Sequence, residues 1–127
     1  MLNEDGDGVG RVDLWWAGGG AIPSRHFGYW YATTPLVQVH LVGRCLTVRI
    51  RPVLFGRLLG ADTLSAVPAD GITAYRVRSN ATWPGIEFRS PRRPSFYFFT
   101  RRREMVLAAL SQQGFVVSSQ LGRERPA

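Results

Sequence analysis

Histidine and cysteine supply many of the nucleophiles, general bases and zinc ligands of proteins, and the sequence contains three such residues. His40 and Cys45 flank a turn at Gly43 and could approach each other across it, while His26 lies among aromatic residues. A catalytic pair also needs an orienting acid and an oxyanion site, and no motif for either accompanies these residues. A surface histidine beside a packed cysteine is the simpler interpretation, so we expect no catalytic residue.

Metal binding and paired-carboxylate chemistry have no better support. A single cysteine excludes an internal disulfide framework and a multi-cysteine zinc site. The spacing of the two histidines and the cysteine matches no zinc pattern. The acidic residues are scattered rather than paired, as at Asp13, Asp62, Asp70 and Glu87. The sequence therefore predicts no metal, no cofactor and no enzymatic activity.

The basic residues offer a different chemistry. The 127 residues include 16 basic and 9 acidic side chains, a net charge of +7, and all the basic ones are arginine. A basic balance is typical of proteins that bind nucleic acid or anionic membranes, but biased codon usage in a GC-rich genome also favours arginine over lysine. The candidate anion-binding residues are Arg44, Arg49 and Arg51 on a first hairpin, and Arg92, Arg93, Arg101, Arg102 and Arg103 further on.

Aromatic residues are concentrated near the N-terminus. Six large rings fall within 17 residues: Trp15, Trp16, Phe27, Tyr29, Trp30 and Tyr31. This density exceeds what an idle surface carries, so some of the rings are buried or bind a partner. They could cover one end of a small core, or they could form a stacking surface. We treat the six as candidate partner-binding residues.

Periodicity predicts the elements that must position these side chains. Alternating hydrophobic residues predict a hairpin over 36–51, and further strands over 72–77, 86–89 and 95–99. The last of these has no polar face in its middle and should be covered on both sides. Residues 53–66 fit a loop with a short buried strand or turn.

One helix is well marked near the C-terminus. It should begin at Thr100 as N-cap and end at Gly114, with Phe115 folding back in a Schellman contact. Val106, Leu107 and Leu110 form its apolar stripe. The three consecutive arginines 101–103 would then lie at the helix start, where cations oppose the dipole, which favours an anionic contact there. A last short strand follows at 116–117.

Several of these segments carry sequence patterns of a known family. Residues 43–49 resemble the first hairpin of bacterial pleckstrin-homology-like (PH-like) domains, and 67–77 are similar to the strand "iPls.ITsvev" of that family. Residues 85–89, 96–100, 107–110 and 114–115 resemble its closing hairpin and helix, so the match spans about 36–117. The resemblance implies a mainly β (α+β) fold, an antiparallel barrel or bent sheet capped by one C-terminal helix. In family members that bind phosphoinositides a basic-x-basic triplet grips phosphate. Arg49-Ile50-Arg51 is similar to it, although Arg44 comes too soon before it.

These observations predict one domain with extensions. We expect a flexible acidic, Gly-rich tail over 1–12, an aromatic N-terminal arm over 13–35, a PH-like domain over 36–119 and a solvated tail over 120–127. No apolar run is long enough to span a bilayer, which suggests a cytoplasmic protein, with a peripheral position at the membrane as an alternative. The expected function is a non-enzymatic bacterial protein-interaction module that binds a protein or peptide. The alternative is an anionic surface, either lipid head groups or nucleic acid, bound through the arginines.

Overall fold

The computed structural model describes residues 12–25, 28–78 and 83–123, which form one eight-stranded sheet and two helices. The strands are β1 Asp13–Pro23, β2 Tyr29–Val42, β3 Cys45–Ile50, β4 Leu64–Ala66, β5 Thr73–Val77, β6 Gly85–Ser90, β7 Arg93–Phe99 and β8 Val116–Leu121. The helices are α1 Val53–Leu59 and α2 Arg103–Gln112, and a 3-10 turn spans Pro68–Asp70. Neither helix has the length and apolar character that a bilayer span requires.

The strand order across the sheet is β4-β3-β2-β1-β7-β6-β5-β8. The mainly β class and the C-terminal helix are therefore confirmed, but the sheet is mixed and open rather than a closed antiparallel barrel. β5 and β8 pair in parallel. The reason is the connection through α2, because a helix between two strands returns the chain to the same end of the sheet.

The N-terminal segment is part of this sheet. The sequence predicts an aromatic arm over 13–35, whereas the structure places Asp13–Pro23 in β1, paired with β2 along its length and with β7 at Gly19–Ala21. The other half of the segment belongs to β2, which continues to Val42. Of the predicted tail over 1–12, the structure describes Val12, whose carbonyl oxygen accepts a hydrogen bond from the Gly43 N–H at 2.6 Å.

Three further segments differ from expectation. Residues 53–66 contain the helix α1 as well as the short strand β4. Arg102, not Thr100, occupies the N-cap of α2, and the Thr100 hydroxyl accepts a hydrogen bond from the Arg102 N–H at 3.1 Å. β8 extends to Leu121, and the Gly122 N–H donates to the Arg76 carbonyl at 2.8 Å. The predicted solvated tail thus starts inside the sheet, and residues 124–127 lie outside the described ranges.

Other local predictions are confirmed. The hairpin over 36–51 is present as β2 and β3, joined at Gly43-Arg44. α2 ends in the predicted Schellman arrangement: the Phe115 N–H donates to the Leu110 carbonyl and the Gly114 N–H to that of Ser111. Gly114 has φ +96°, a conformation that glycine adopts without steric cost.

The main core lies on one face of the sheet, under α2. It contains alternate strand residues such as Val39, Val48 and Phe88, together with the helix residues Val106, Leu107 and Leu110. β7 is covered on both sides, as predicted, because Phe96 and Phe98 enter this core while Tyr97 is buried on the opposite face.

The junction of β1 and β7 yields a stability prediction. A Cβ at Gly20 would overlap the backbone carbonyl oxygen of Tyr97, whereas a Cβ at Gly28 would meet nothing within 4 Å. We expect Gly20→Ala to lower the free energy of unfolding by about 2 kcal/mol or more, because β1 must move away from β7. Gly28→Ala is the matched control and should stay within about 0.5 kcal/mol. Urea denaturation measures both, and equal effects would contradict the close approach.

Candidate functional site

Of the candidate catalytic side chains, the structure describes His40 and Cys45, which lie on the two paired strands of the β2–β3 hairpin. His40 Nε2 lies 2.9 Å from Asp13 Oδ1, so the imidazole is engaged with a carboxylate, and Cys45 is an exposed free thiol. His26 lies outside the described residues. In the part of the chain that the structure describes, no group of three histidine, cysteine or acidic residues could hold a metal ion.

Three of the six aromatic candidates have structural contacts. Trp16 lies in the main core with 8% exposure. The Trp30 indole N–H donates to the Leu59 carbonyl at 2.6 Å and so joins β2 to α1. The Tyr29 hydroxyl donates to the Ser95 carbonyl at 2.7 Å.

Two of the remaining aromatic rings are exposed and lie far apart. Trp15 and Tyr31 are 61% and 69% exposed. Trp15 is near the start of β1, while Tyr31 pairs with Ala21 near its end, a separation of about 20 Å along the strand. Phe27 lies outside the described residues. The aromatic set is therefore not one continuous surface.

The arginine candidates separate into three places. On the first hairpin, Arg44 and Arg51 are exposed and Arg49 is half-buried opposite Gln38. Arg92 and Arg93 lie at the turn between β6 and β7. Residues 101–103 follow the other end of β7, so the strand's full length separates the two parts of the second predicted group.

One cleft brings two aromatic candidates and two arginine candidates together. We call it the Trp–Arg cleft: a cavity of about 430 Å³ lined by Trp15, Trp16, Ala17, Trp83, Thr100, Arg101 and Arg102. It forms where β1 and β7 diverge, because their pairing ends at Gly19 and Phe99 and the chain then turns into α2. Sequence patterns did not single out Trp83, which follows a turn segment.

The carboxylate of Glu104, in the first turn of α2, is paired with two arginines that do not line the Trp–Arg cleft. Glu104 binds Arg76 at 2.8 Å and Arg103 at 3.1 Å. The hydrogen bond from Arg76 is the main reason that the pKa of Glu104 is lowered. The Arg101 guanidinium lies 5.2 Å from the centroid of the Trp83 ring. Arg101 and Arg102 form no ion pair within the described residues, and both precede the helix at the positive end of its dipole.

A second polar cluster, centred on Glu87, is absent from the sequence-based candidates. Glu87 is fully buried, and its carboxylate accepts two hydrogen bonds from Arg89, at 3.1 and 2.9 Å. The Ser95 hydroxyl donates to it at 2.6 Å, and the Arg123 backbone N–H donates at 2.9 Å. The Arg123 guanidinium approaches to 3.4 Å.

The position of Glu87 follows from strand alternation. Its neighbours Ile86 and Phe88 enter the main core, so Glu87 lies on the opposite face, between Tyr75 and Tyr97 on the adjacent strands. The spacing of Glu87 and Arg89 places both on this face and is a local signal for the ion pair. Arg123 is 36 residues from Glu87, and no local pattern links them.

The Glu87 cluster predicts a pH dependence of stability. Burial raises the pKa of Glu87, but the hydrogen bonds from Arg89, Ser95 and Arg123 outweigh it and hold the pKa below the ordinary 4.5. The ion pair therefore stabilises the fold above about pH 4.5, and that contribution disappears as the pH falls through the lowered pKa. Glu87→Gln should lower the free energy of unfolding by about 3 kcal/mol at pH 7. It should also make the decline of that free energy below pH 4.5 less steep.

Denaturation by urea between pH 2 and 7, at constant ionic strength, measures this effect. Glu104→Gln is the control, because its ion pairs are exposed and should contribute less than about 1 kcal/mol. A steep acid decline retained by Glu87→Gln would contradict the assignment.

Comparison with known proteins finds no matching family model, no matching curated protein and no matching solved structure. The PH-like resemblance therefore stays a prediction from sequence patterns, and the function has to be argued from the geometry of the chain itself.

Proposed function

We propose that the chain is a non-enzymatic binding module that holds an acidic, extended segment of a protein partner in the Trp–Arg cleft. The observation that carries this proposal is the meeting of Trp15 with Arg101 and Arg102 in one cleft. An acidic side chain there would neutralise two arginines that lack an acidic partner among the described residues, and it would also suit the dipole of α2.

The backbone of β1 supports an extended partner. Over 13–18, β1 pairs with β2 on one side, and no described strand pairs with its other side. A peptide that adds to an open strand side gains main-chain hydrogen bonds, and nearby pockets select its side chains. Trp15 offers a large exposed ring at this place, as an anchor for an apolar side chain.

A protein segment suits the cleft better than the anionic surfaces do. A nucleic-acid strand requires a continuous basic track with successive stacking rings, whereas Trp15 and Tyr31 lie about 20 Å apart along β1. The other candidate arginines, on the first hairpin and at the β6–β7 turn, do not line this cleft. A cavity of about 430 Å³ accommodates a few side chains.

A PH-like architecture is part of this proposal. Two antiparallel meanders, β1–β4 and β5–β7, pair through β1 and β7 and are followed by a helix, an order that supports the resemblance in the sequence. β8 is an addition to that plan. The exposed, unpaired thiol of Cys45 is consistent with a reducing compartment and supports a cytoplasmic location.

Point substitutions in the Trp–Arg cleft test the proposal. They are preferable to a deletion of 13–35, which would remove β1 and part of β2 from the sheet. The probes are fluorescein-labelled eight-residue peptides, one rich in glutamate with two leucines and one with glutamine in place of glutamate. Fluorescence polarisation should show binding of the acidic peptide that weakens with added salt. Replacing both arginines, Arg101→Ala with Arg102→Ala, should weaken binding about tenfold or more.

Matched surface residues elsewhere provide the controls. Arg44→Ala removes an exposed arginine, and Tyr31→Ala an exposed ring, both outside the Trp–Arg cleft, and neither should change the affinity. Trp15→Ala should weaken it, as the double arginine variant does. Equal binding of the glutamine peptide would contradict the proposal. So would tighter binding of single-stranded DNA or anionic vesicles that depends on the same residues.

A further inference from the structure

The sheet face opposite the main core carries a second cavity, of about 730 Å³. We call it the Tyr97 cavity. Its polar wall contains Tyr29, Arg89, Ser90, Arg93, Ser95, Tyr97 and Arg123. Among the described residues it shares no lining side chain with the Trp–Arg cleft. Its volume lies in the usual range of small-molecule sites, about 300–1,000 Å³.

Two buried hydroxyl groups in this wall lack hydrogen-bond partners within the described residues: those of Tyr97 and Ser90. Tyr97 is 1% exposed, and such groups in proteins nearly always have a partner. Burial and the Glu87 charge raise the pKa of Tyr97 to about 12, so its hydroxyl keeps its proton and remains a donor at neutral pH. The neighbouring Tyr29 hydroxyl, by contrast, is satisfied by the Ser95 carbonyl.

Among the described residues around the Tyr97 cavity, positive charges exceed negative charges by one. The guanidinium groups of Arg89, Arg93 and Arg123 are accompanied by two carboxylates, those of Glu87 and Asp62. Each guanidinium has five N–H donors, and the protein contacts described here use one or two of them on each side chain. Arg123 is the loosest, at 3.4 Å from Glu87 with 51% exposure.

The rest of the wall is apolar or aromatic. Pro23, Pro91 and Pro94 line it alongside the Tyr29 ring, which meets the Tyr97 ring edge-to-face at 6.2 Å. Such surfaces pack against the carbon skeleton of a ligand, while a few polar groups fix its orientation. The complementary ligand is thus apolar at one end and has oxygen acceptors at the other.

We infer that the Tyr97 cavity binds a small organic monocarboxylate, whose oxygens accept hydrogen bonds from the Tyr97 hydroxyl and from Arg89 and Arg123. A single negative charge matches the one excess positive charge among the described residues, whereas a phosphate dianion would exceed it. The carboxylate completes a wall that already holds one carboxylate, Glu87, between the same two arginines. The inference is independent of the Trp–Arg cleft.

Three probes that share a phenyl ring test the ligand class: benzoate, its neutral analogue benzamide, and phenyl phosphate. Binding to the full chain is followed by isothermal titration calorimetry and by the NMR shifts of the arginine Nε–H groups. Benzoate should bind more tightly than the other two and shift Arg89 and Arg123. Two further monocarboxylates, hexanoate and indole-3-acetate, extend the search. If none of the three monocarboxylates, benzoate, hexanoate and indole-3-acetate, binds at concentrations up to about 10 mM, the inference is overturned. Equal or tighter binding of benzamide or phenyl phosphate would also overturn it.

Tyr97→Phe is the decisive variant, because it removes the unpaired hydroxyl and keeps the buried ring. Without ligand, Tyr97→Phe should have the same free energy of unfolding as the wild type, since no hydrogen bond within the described residues is lost. Its affinity for the bound carboxylate should fall about tenfold. Undiminished affinity would contradict the role of the hydroxyl. The double variant Arg101→Ala with Arg102→Ala should bind the carboxylate normally, which separates failure here from failure of the peptide proposal.

Discussion

Two halves of the sheet meet along three residue pairs, Gly19 with Phe99, Gly20 with Phe98 and Ala21 with Tyr97. One half is the meander β1–β4, and the other contains β5–β8. Glycine is needed at this contact because a side chain at position 20 would meet the backbone of β7. Both cavities are consequences of the junction. The Trp–Arg cleft opens where the pairing stops, and the Tyr97 ring is buried where β1 lies beside it.

Six of the arginines divide into two groups according to whether they have an acidic partner in the part of the chain that the structure describes. Arg89 and Arg123 surround a buried carboxylate, and Arg76 and Arg103 share Glu104, so these four contribute to internal ion pairs. Arg101 and Arg102 have no acidic partner among the described residues, which leaves their charge available to a ligand. A net charge of +7 therefore says less about binding than the position of each guanidinium does.

Local sequence signals predicted those parts of the fold that depend on neighbouring residues. Alternation identified the β2–β3 hairpin and the doubly covered β7, and Gly114 with Phe115 marked the end of α2. The strand β1 is harder to predict from the sequence, because it is a central strand rich in glycine whose side chains do not alternate in polarity. α1 is not predicted because it has only seven residues, and Leu54, Phe55 and Leu58 are exposed rather than forming a buried stripe.

The candidate sites depend on distant residues, and this limited their prediction. The arginines of the Trp–Arg cleft were candidates because cations at a helix start oppose its dipole, and Trp15 because of local aromatic density. Their meeting depends on the point at which β7 leaves β1, which no spacing in the sequence encodes. The spacing of Glu87 and Arg89 is the one local sequence signal for the Glu87 cluster. Tyr97 lies among other aromatic residues of a hydrophobic strand, and nothing in its neighbourhood marks it as part of a site.

The pairing of Arg123 with Glu87 has a consequence for the order in which the chain assembles. During synthesis β6 and β7 bring two partners of Glu87, Arg89 and Ser95, before α2, β8 and Arg123 emerge, so the Glu87 cluster is complete only when β8 has been made. Burying a charge is costly until its partners are in place, so we expect the sheet face that carries Glu87 to be completed late. The β1–β7 pairs, roughly 80 residues apart in sequence, also require long loops to close and favour slow folding. The sheet face opposite the main core therefore gains its full set of contacts only when β8 pairs with β5.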